Sequence, residues 1–330
     1  MSESPKPDRR YRTLLSETLP FEVPVIFSND RFFFSSSNQI RGRDVAHLLE
    51  RLRPRSNYSL PYNYRISKGN DRYTTLSVIH PLNQLAVADF YEANSRAMIA
   101  ACAKSPFSLR RPAEVASTLS PSRMNPADPQ RHGIAHLEVD EDETDVSHYV
   151  TYYKYRRYNL INRFFDSPEL TRMEKRFNHM RTLDISKCFQ NIYTHSESWA
   201  VKDKPYAKRH TTHYSFEGEF DRLMQRMNYN ETAGIVIGPE VSRIFAEIIL
   251  QSADKEIYRR LRDECELQEG KHYSVRRYVD DYFLFGHNEK DIRTITRVIS
   301  ETLEFYKLYL NDEKQREFES PFVTPITLAR

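Results

Sequence analysis

Glycine is scarce in this chain, with 8 among 330 residues. None stands in the spacing of a triphosphate-cradling or dinucleotide-binding loop, so those two nucleotide-binding classes are excluded. Cysteine is scarcer still. Cys102, Cys188 and Cys265 are far apart and odd in number. They offer neither a disulfide framework nor a metal knuckle, which makes a reducing cytoplasm the expected compartment. No apolar run approaches the length of a membrane-spanning helix, so no membrane partner is expected. The opening stretch "MSESPKPDRRYRTLLSETLP" is polar and proline-bearing, without the apolar core of a secretory signal. Charge of one sign is lacking too. A net charge of +3 is a weak argument for a polyanionic partner, and only its local distribution can supply a better one.

What the chain does have is aromatic side chains, 21 Tyr and 19 Phe against a single Trp, and length enough for one large or two ordinary domains. "LPFEVPVIFSNDRFFF" reads as extended, and "YNYRISKGNDRYTTLSVIHP" as strand, turn at Gly69-Asn70-Asp71, strand. Pro81 then opens a stretch whose apolar positions recur at helical spacing. Residues 105–146 read as an insertion: a proline-rich loop followed by the solvated acidic run "EVDEDETD". The stretch from about 146 to 178 reads as mostly helical. "RTLDISKCFQNIY" switches from strand-like to helix-like. A helix follows Pro239, with Val241, Ile244, Phe245, Ile248, Ile249 and Ile257 on one stripe. A hairpin around residue 280 and a helix from about 289 to 309 complete the pattern.

The hairpin carries the chemistry. "RRYVDDYFLFG" places Asp280 and Asp281 between two apolar-aromatic runs, on the bend. Neighbouring carboxylates repel, and fixing them on a rigid turn costs stability unless a cation sits against them. A solvent-exposed turn is the plainer reading, because Asp is a common turn residue. Asp184, in "TLDISKCF", ends an apolar strand far upstream. Alone it reads as a cap or turn residue. If its strand neighbours the hairpin, three carboxylates meet and form a site for hard divalent ions, shared with substrate phosphates and water.

Tyr278-Val279-Asp280-Asp281 before an apolar strand resembles the YxDD box of reverse transcriptases. "LDISKCF" is similar to their first palm motif, with Phe189 five positions after Asp184. The resemblance implies an α+β right-hand polymerase: fingers and N-terminal region over 1–178, and palm over 179–330, with an antiparallel sheet backed by helices and no thumb. It implies that Asp184, Asp280 and Asp281 hold two Mg²⁺ ions, or Mn²⁺. It makes Phe189 the ring that excludes a 2′-hydroxyl, although a Phe there could equally be core. "GIVIGPEVSRIFAEI" resembles the second palm motif, with Gly238 letting backbone approach substrate. It departs at Val236 and Ile237, where the family has proline and glutamine. "LNDEK" resembles a later motif and puts Lys314 near the leaving pyrophosphate. "RISKGNDR" resembles the triphosphate-gripping hairpin, with Lys68 and Arg72 as its cations. Exposed turn charge is the alternative for both.

"DISKCFQNIYTHSESWA", "FEGEFDRLMQRMN" and "GPEVSRIFAE" are similar to the bacterial abortive-infection and defence-associated branch of the family. That implies a bacterial cytoplasmic enzyme, deoxynucleoside triphosphates as substrates, and a DNA product. Noncoding RNA is a candidate template, and a homo-oligomer or a partner protein with a thumb-like domain a candidate assembly. "YVTYYKYRRYNLINRFF" interleaves Lys154, Arg156, Arg157 and Arg163 with aromatics. It reads either as a nucleic-acid contact or as an amphipathic helix with solvated cations. His210 and His213 lack further ligands at zinc spacing. The expected activity is nucleotidyl transfer, by a reverse transcriptase that is RNA-directed or template-independent. The alternative is a catalytically idle polymerase-like subunit that binds RNA or scaffolds a partner.

Overall fold

In the computed structural model, residues 9–37, 47, 50, 51, 56–69, 72–116, 151–202 and 215–322 are described. Most of the expected insertion, the acidic run, and His210 and His213 lie outside them. In chain order come α1 (Thr13–Ser16), α2 (Asp30–Ser37), β1 (Tyr62–Ser67), β2 (Tyr73–Val78) and α3 (Pro81–Ala101). Next are β3 (Arg110–Val115), β4 (Tyr153–Arg157), α4 (Ile161–Phe165), α5 (Pro168–Arg176) and β5 (His179–Asp184). Then follow α6 (Cys188–Asn191), α7 (Ser196–Val201), α8 (Phe216–Met227) and α9 (Glu240–Asp263). The hairpin β6 (Tyr273–Tyr278) and β7 (Asp281–Gly286), α10 (Glu289–Phe305) and β8 (Arg316–Glu319) complete the order. The chain forms two compact units: Met1–Met98, Glu114–Lys154 and Thr211–Phe245 make the first, and Ile99–Ala113, Tyr155–His210 and Ala246–Arg330 the second.

In the first unit β1 and β2 pair antiparallel from Tyr62↔Val78 to Ser67↔Tyr73, the expected hairpin. Its outer half is exposed, while Leu76, Ser77 and Val78 are buried. Pro81 opens α3, where its missing N–H is not needed. Phe90 of α3 packs on Phe220 of α8 at 4.7 Å, and Phe220 meets Phe245 edge to face at 5.0 Å. The stripe read from the sequence is real: Val241, Ile244 and Phe245 are buried here.

The second unit is built on a four-stranded sheet in the order β6-β7-β5-β8, antiparallel throughout. Side chains alternate between its faces. Met180, Phe283 and Phe285 form one core with Phe164 of α4 and Leu170 and Met173 of α5. Arg277 and Tyr282 face α9, and Arg181 donates to Thr296 of α10. Both faces are therefore covered by helices, as an α+β palm-like layer requires. Helix α5 starts at a capping Ser167 followed by Pro168, and α10 at a capping Asn288.

One expectation fails here. Over 151–178, the described part of the stretch expected to be mostly helical, β4 occupies Tyr153–Arg157, and only the short helices α4 and α5 follow it. The stretch alternates as a strand does, with Tyr153 buried and Lys154 exposed, and its backbone pairs with β3. The helix expected at about 289–309 ends earlier, at Phe305.

Candidate active site

Asp184 is the last residue of β5 and stands directly opposite Asp281, the first residue of β7. Residues opposed in this way have Cα atoms about 4.5–5.5 Å apart and share a face. Asp280 lies in the loop one position before. The turn differs from the expected one by a residue. Tyr278 pairs with Asp281, so the bend consists of Val279 and Asp280, and Asp281 belongs to the strand. Val279 has φ 55°, a left-handed conformation that is uncommon for a β-branched side chain and costs on the order of 1–3 kcal/mol. Two-residue hairpin loops usually place glycine where such a φ is needed. Backbone bonds fix the neighbouring carboxylates: the Ile185 N–H donates to the Asp280 carbonyl at 3.2 Å, and the Asn311 N–H to the Asp184 carbonyl at 2.8 Å.

What holds the strained turn lies beneath it. Arg277 is fully buried, and its guanidinium donates to Asp254 at 2.8 Å and Glu247 at 2.7 Å, both on α9. A third bond, at 2.9 Å, goes to the carbonyl of Val279 itself. Tyr282 and Ser105 donate to Asp254, and Ser108 and Gln251 to Glu247. Such a network is tolerable in the interior because its members are paired and hydrogen-bonded. It couples the hairpin that carries two of the aspartates to a long helix.

The electrostatics register a deficit of positive charge. Burial, followed by the charges of Asp280 and Asp184, pushes the Asp281 carboxyl up to about 7, and Lys314 only partly opposes this. The Lys314 ammonium lies 2.7 Å from Asp184 Oδ1, and that contact is the main cause of its raised pKa. Its side chain is 62% exposed, against 14% for Asp184. Asn311 Nδ2 is 3.4 Å from the other Asp184 oxygen. Burial above all, then the Asp280 charge, holds the Cys188 thiol well above its usual range, so it is a neutral packing group.

Among the described residues no three His, Cys, Asp or Glu side chains form a group that could hold a metal ion as they stand. The donor chemistry nonetheless suits one kind of ion. Hard carboxylate oxygens in an under-compensated anionic field fit a small divalent cation. Mg²⁺ takes one or two protein carboxylates and completes its shell with water and phosphate, so a full protein cage is not required.

The other candidate residues fall in two groups. Phe189 stands half-buried on α6, which leaves β5 through Lys187 at φ 45°. With Lys314 it belongs to the unit of the three aspartates. Lys68, Arg72 and Gly238 belong to the first unit. Lys68 and Arg72 are exposed at the end of the β1–β2 hairpin, where the Lys68 N–H donates to the Arg72 carbonyl at 2.8 Å. Gly238 has φ +120°, and a Cβ there would come within 2.5 Å of Pro20 Cβ; close packing on that proline is what requires a glycine. Lys154 pairs with Glu114 at 2.9 Å and Arg157 with Glu169 at 3.3 Å, while Arg156 is exposed. Arg277 and Asn311 were missed in the sequence. The arginine adjoining "YVDD" was visible, but nothing in the sequence showed that it is buried.

A family profile described as "Reverse transcriptase (RNA-dependent DNA polymerase)" matches residues 149–323, more than half of the chain. Among solved structures, the chain is similar to apo telomerase from Candida tropicalis truncated from its C-terminal domain. The TM-score is 0.46 and the identity 12%, over 87% of this chain and 56% of that one. It is also similar to apo telomerase from Candida tropicalis, with TM-score 0.44, 11% identity, and 86% and 48% of the two chains covered. Telomerase from Candida albicans in complex with a TWJ fragment of telomeric RNA gives TM-score 0.40 and 13% identity, over 88% and 47%. The chain thus spans about half the length of the telomerase chains it matches. No curated protein matches it.

Proposed function

The chain belongs to the reverse transcriptase family, and on that premise we propose that it is a DNA polymerase extending a primer hydroxyl with deoxynucleotides, RNA-directed or template-independent, by two-metal catalysis. The observation that carries this reading is the meeting of Asp184 with Asp280 and Asp281 at one end of the sheet, from strands far apart in sequence. Reverse transcriptase domains use divalent metal ions. Here Asp184, Asp280 and Asp281 would hold them, Mg²⁺ first and Mn²⁺ as a substitute. Bound there, the ions lower the pKa of the attacking hydroxyl and stabilise the leaving oxygen.

The side chains supply position and charge. Lys314 neutralises Asp184 before substrate arrives, and its exposed stem lets the ammonium turn to a departing pyrophosphate. Phe189 would lie under the sugar and reject a 2′-hydroxyl. Lys68 and Arg72 would grip the triphosphate, which fits residues 1–178 acting as fingers and 179–330 as palm. The resemblance to abortive-infection and defence-associated enzymes supports a role in antiphage defence, with noncoding RNA as template and a homo-oligomer or second protein completing the assembly.

Incorporation of labelled deoxynucleotides with Mg²⁺ tests the reading. Wild type should be active and Asp280→Ala inactive, and Phe189→Ala should admit ribonucleotides. One observation favours a second reading, an idle subunit that binds RNA or scaffolds a partner: Ile237 stands where the family has glutamine in the second palm motif. Wild type that incorporates nothing across metals and partners, while still binding RNA, would support that alternative.

A further inference from the structure

The second unit holds a cleft of about 1200 Å³ that none of the three aspartates, Phe189 or Lys314 lines. It is bordered by α7, the later turns of α9, the end of α10 and the loop at Lys104 and Pro106. Its size exceeds the roughly 300–1,000 Å³ of ordinary small-molecule pockets. Its walls carry an excess of cations. The arginines among them are answered: Arg259 by Glu256 and Glu264, Arg260 by Glu264 and Glu301, and Arg262 by Asp263.

The lysines differ. The ammonium of half-buried Lys104 donates to the Ala200 carbonyl at 3.1 Å, and no carboxylate among the described residues pairs with it. Exposed Lys255 also forms no ion pair among them. Burial, and after it the charge of Lys255, lowers the Lys104 pKa. Lys104 and Lys255 thus share one cleft with no ion pair to either among the described residues, an arrangement that a bound anion relieves.

Rings stand beside them. Trp199 and Phe305 both line the cleft and meet edge to face at 6.3 Å, and Phe305 is 45% exposed. Cations beside rings, here half-buried Trp199 and exposed Phe305, are the combination by which single strands are held, phosphates on the former and bases on the latter. An acidic peptide would satisfy the lysines and leave the rings without a role.

We propose that this cleft binds a short stretch of single-stranded nucleic acid, with phosphates on Lys104 and Lys255 and a base against Trp199 and Phe305. The site is separate from the carboxylate site and does not depend on the polymerase reading.

Trp199 is the chain's single tryptophan, so intrinsic emission reports on this cleft. The full chain is titrated in EDTA with oligothymidylate, oligouridylate, thymidine monophosphate, inorganic phosphate and polyglutamate. Saturable quenching by the oligonucleotides, well above that from the other three probes, is expected. The double variant Lys104→Gln/Lys255→Gln should bind about tenfold or more weakly, and its log–log salt slope should be shallower by about 0.7 per lysine removed. Lys255→Gln alone, at an exposed site, keeps the test interpretable if the double variant does not fold. Asp280→Asn/Asp281→Asn should quench as wild type does. Unchanged emission, equal affinity in the lysine variants, or quenching lost with the aspartates would overturn the proposal. So would an equal response to phosphate, to the mononucleotide or to polyglutamate.

Discussion

Two hairpins in this chain carry charged tips and are built in opposite ways. The β6–β7 hairpin turns in two residues, Val279 and Asp280, and most of its side chains are buried. The β1–β2 hairpin spans residues 68–72 between its last paired residues, and its outer half is exposed on both strands. The first is anchored beneath its turn by a buried arginine bonded to a helix; Lys68 and Arg72 at the tip of the second stand in solvent. A site that must set carboxylates against one another needs a rigid support, and the exposed end of the other hairpin shows no such buried anchor among its described residues.

The largest effect should come from the support. Arg277→Met leaves Asp254 and Glu247 buried without their counterion and should cost about 3–5 kcal/mol, read as a lower denaturation midpoint. Asp254 would then take up a proton, since burial already raises its pKa and Arg277 is what holds it down. A loss no larger than that of an exposed arginine would break the contrast between the hairpins.

Next is a proton. In metal-free protein the Asp281 carboxyl, raised to about 7, is protonated in the folded chain and ionised in the unfolded chain between about pH 4 and 7. The folded state binds more protons there, so this group's contribution to stability falls as pH rises towards 7. Divalent ions need the carboxylate, so below pH 7 metal binding should release about one proton and tighten as pH rises. Calorimetry in buffers of different ionisation enthalpy reads this directly. Asp281→Asn should abolish the release, and Lys314→Gln should shift it to higher pH, because the Lys314 charge lowers the Asp281 pKa.

The smallest stability effects belong to the other hairpin. Gly69→Ala should cost about 1 kcal/mol through its φ of +78° alone, since open space surrounds the added methyl. Lys68→Ala/Arg72→Ala should change stability by less than about 0.5 kcal/mol while raising the KM for deoxynucleotides. If the pair instead unfolds the protein, the exposed hairpin has a structural role that its surroundings do not suggest.

Much of the β6–β7 end was legible in the sequence. Apolar runs on both sides of Asp280-Asp281 and before Asp184 read as buried strands in the sequence, whereas the adjacency of β5 and β7 that brings their termini together is shown only by the pairing. The rest depended on tertiary partners. Arg277 follows another arginine and looks like surface charge until Asp254 and Glu247 on α9 enclose it. Asn311 reaches Asp184 from a loop with no periodicity of its own. The β4 strand was misread because its aromatics and cations satisfy both periods. Alternation of buried Tyr153 and exposed Lys154 was present, but only the pairing with β3 decides for a strand.

The central claim is that Asp184, Asp280 and Asp281 act as one divalent-ion site, and a Mn²⁺ titration followed by electron paramagnetic resonance tests it most directly. Wild type should bind Mn²⁺ in competition with Mg²⁺, and Asp184→Asn and Asp281→Asn should each abolish that binding while the proteins remain folded. Undiminished binding in Asp184→Asn would contradict the account, because the strand partner would then lie outside the site.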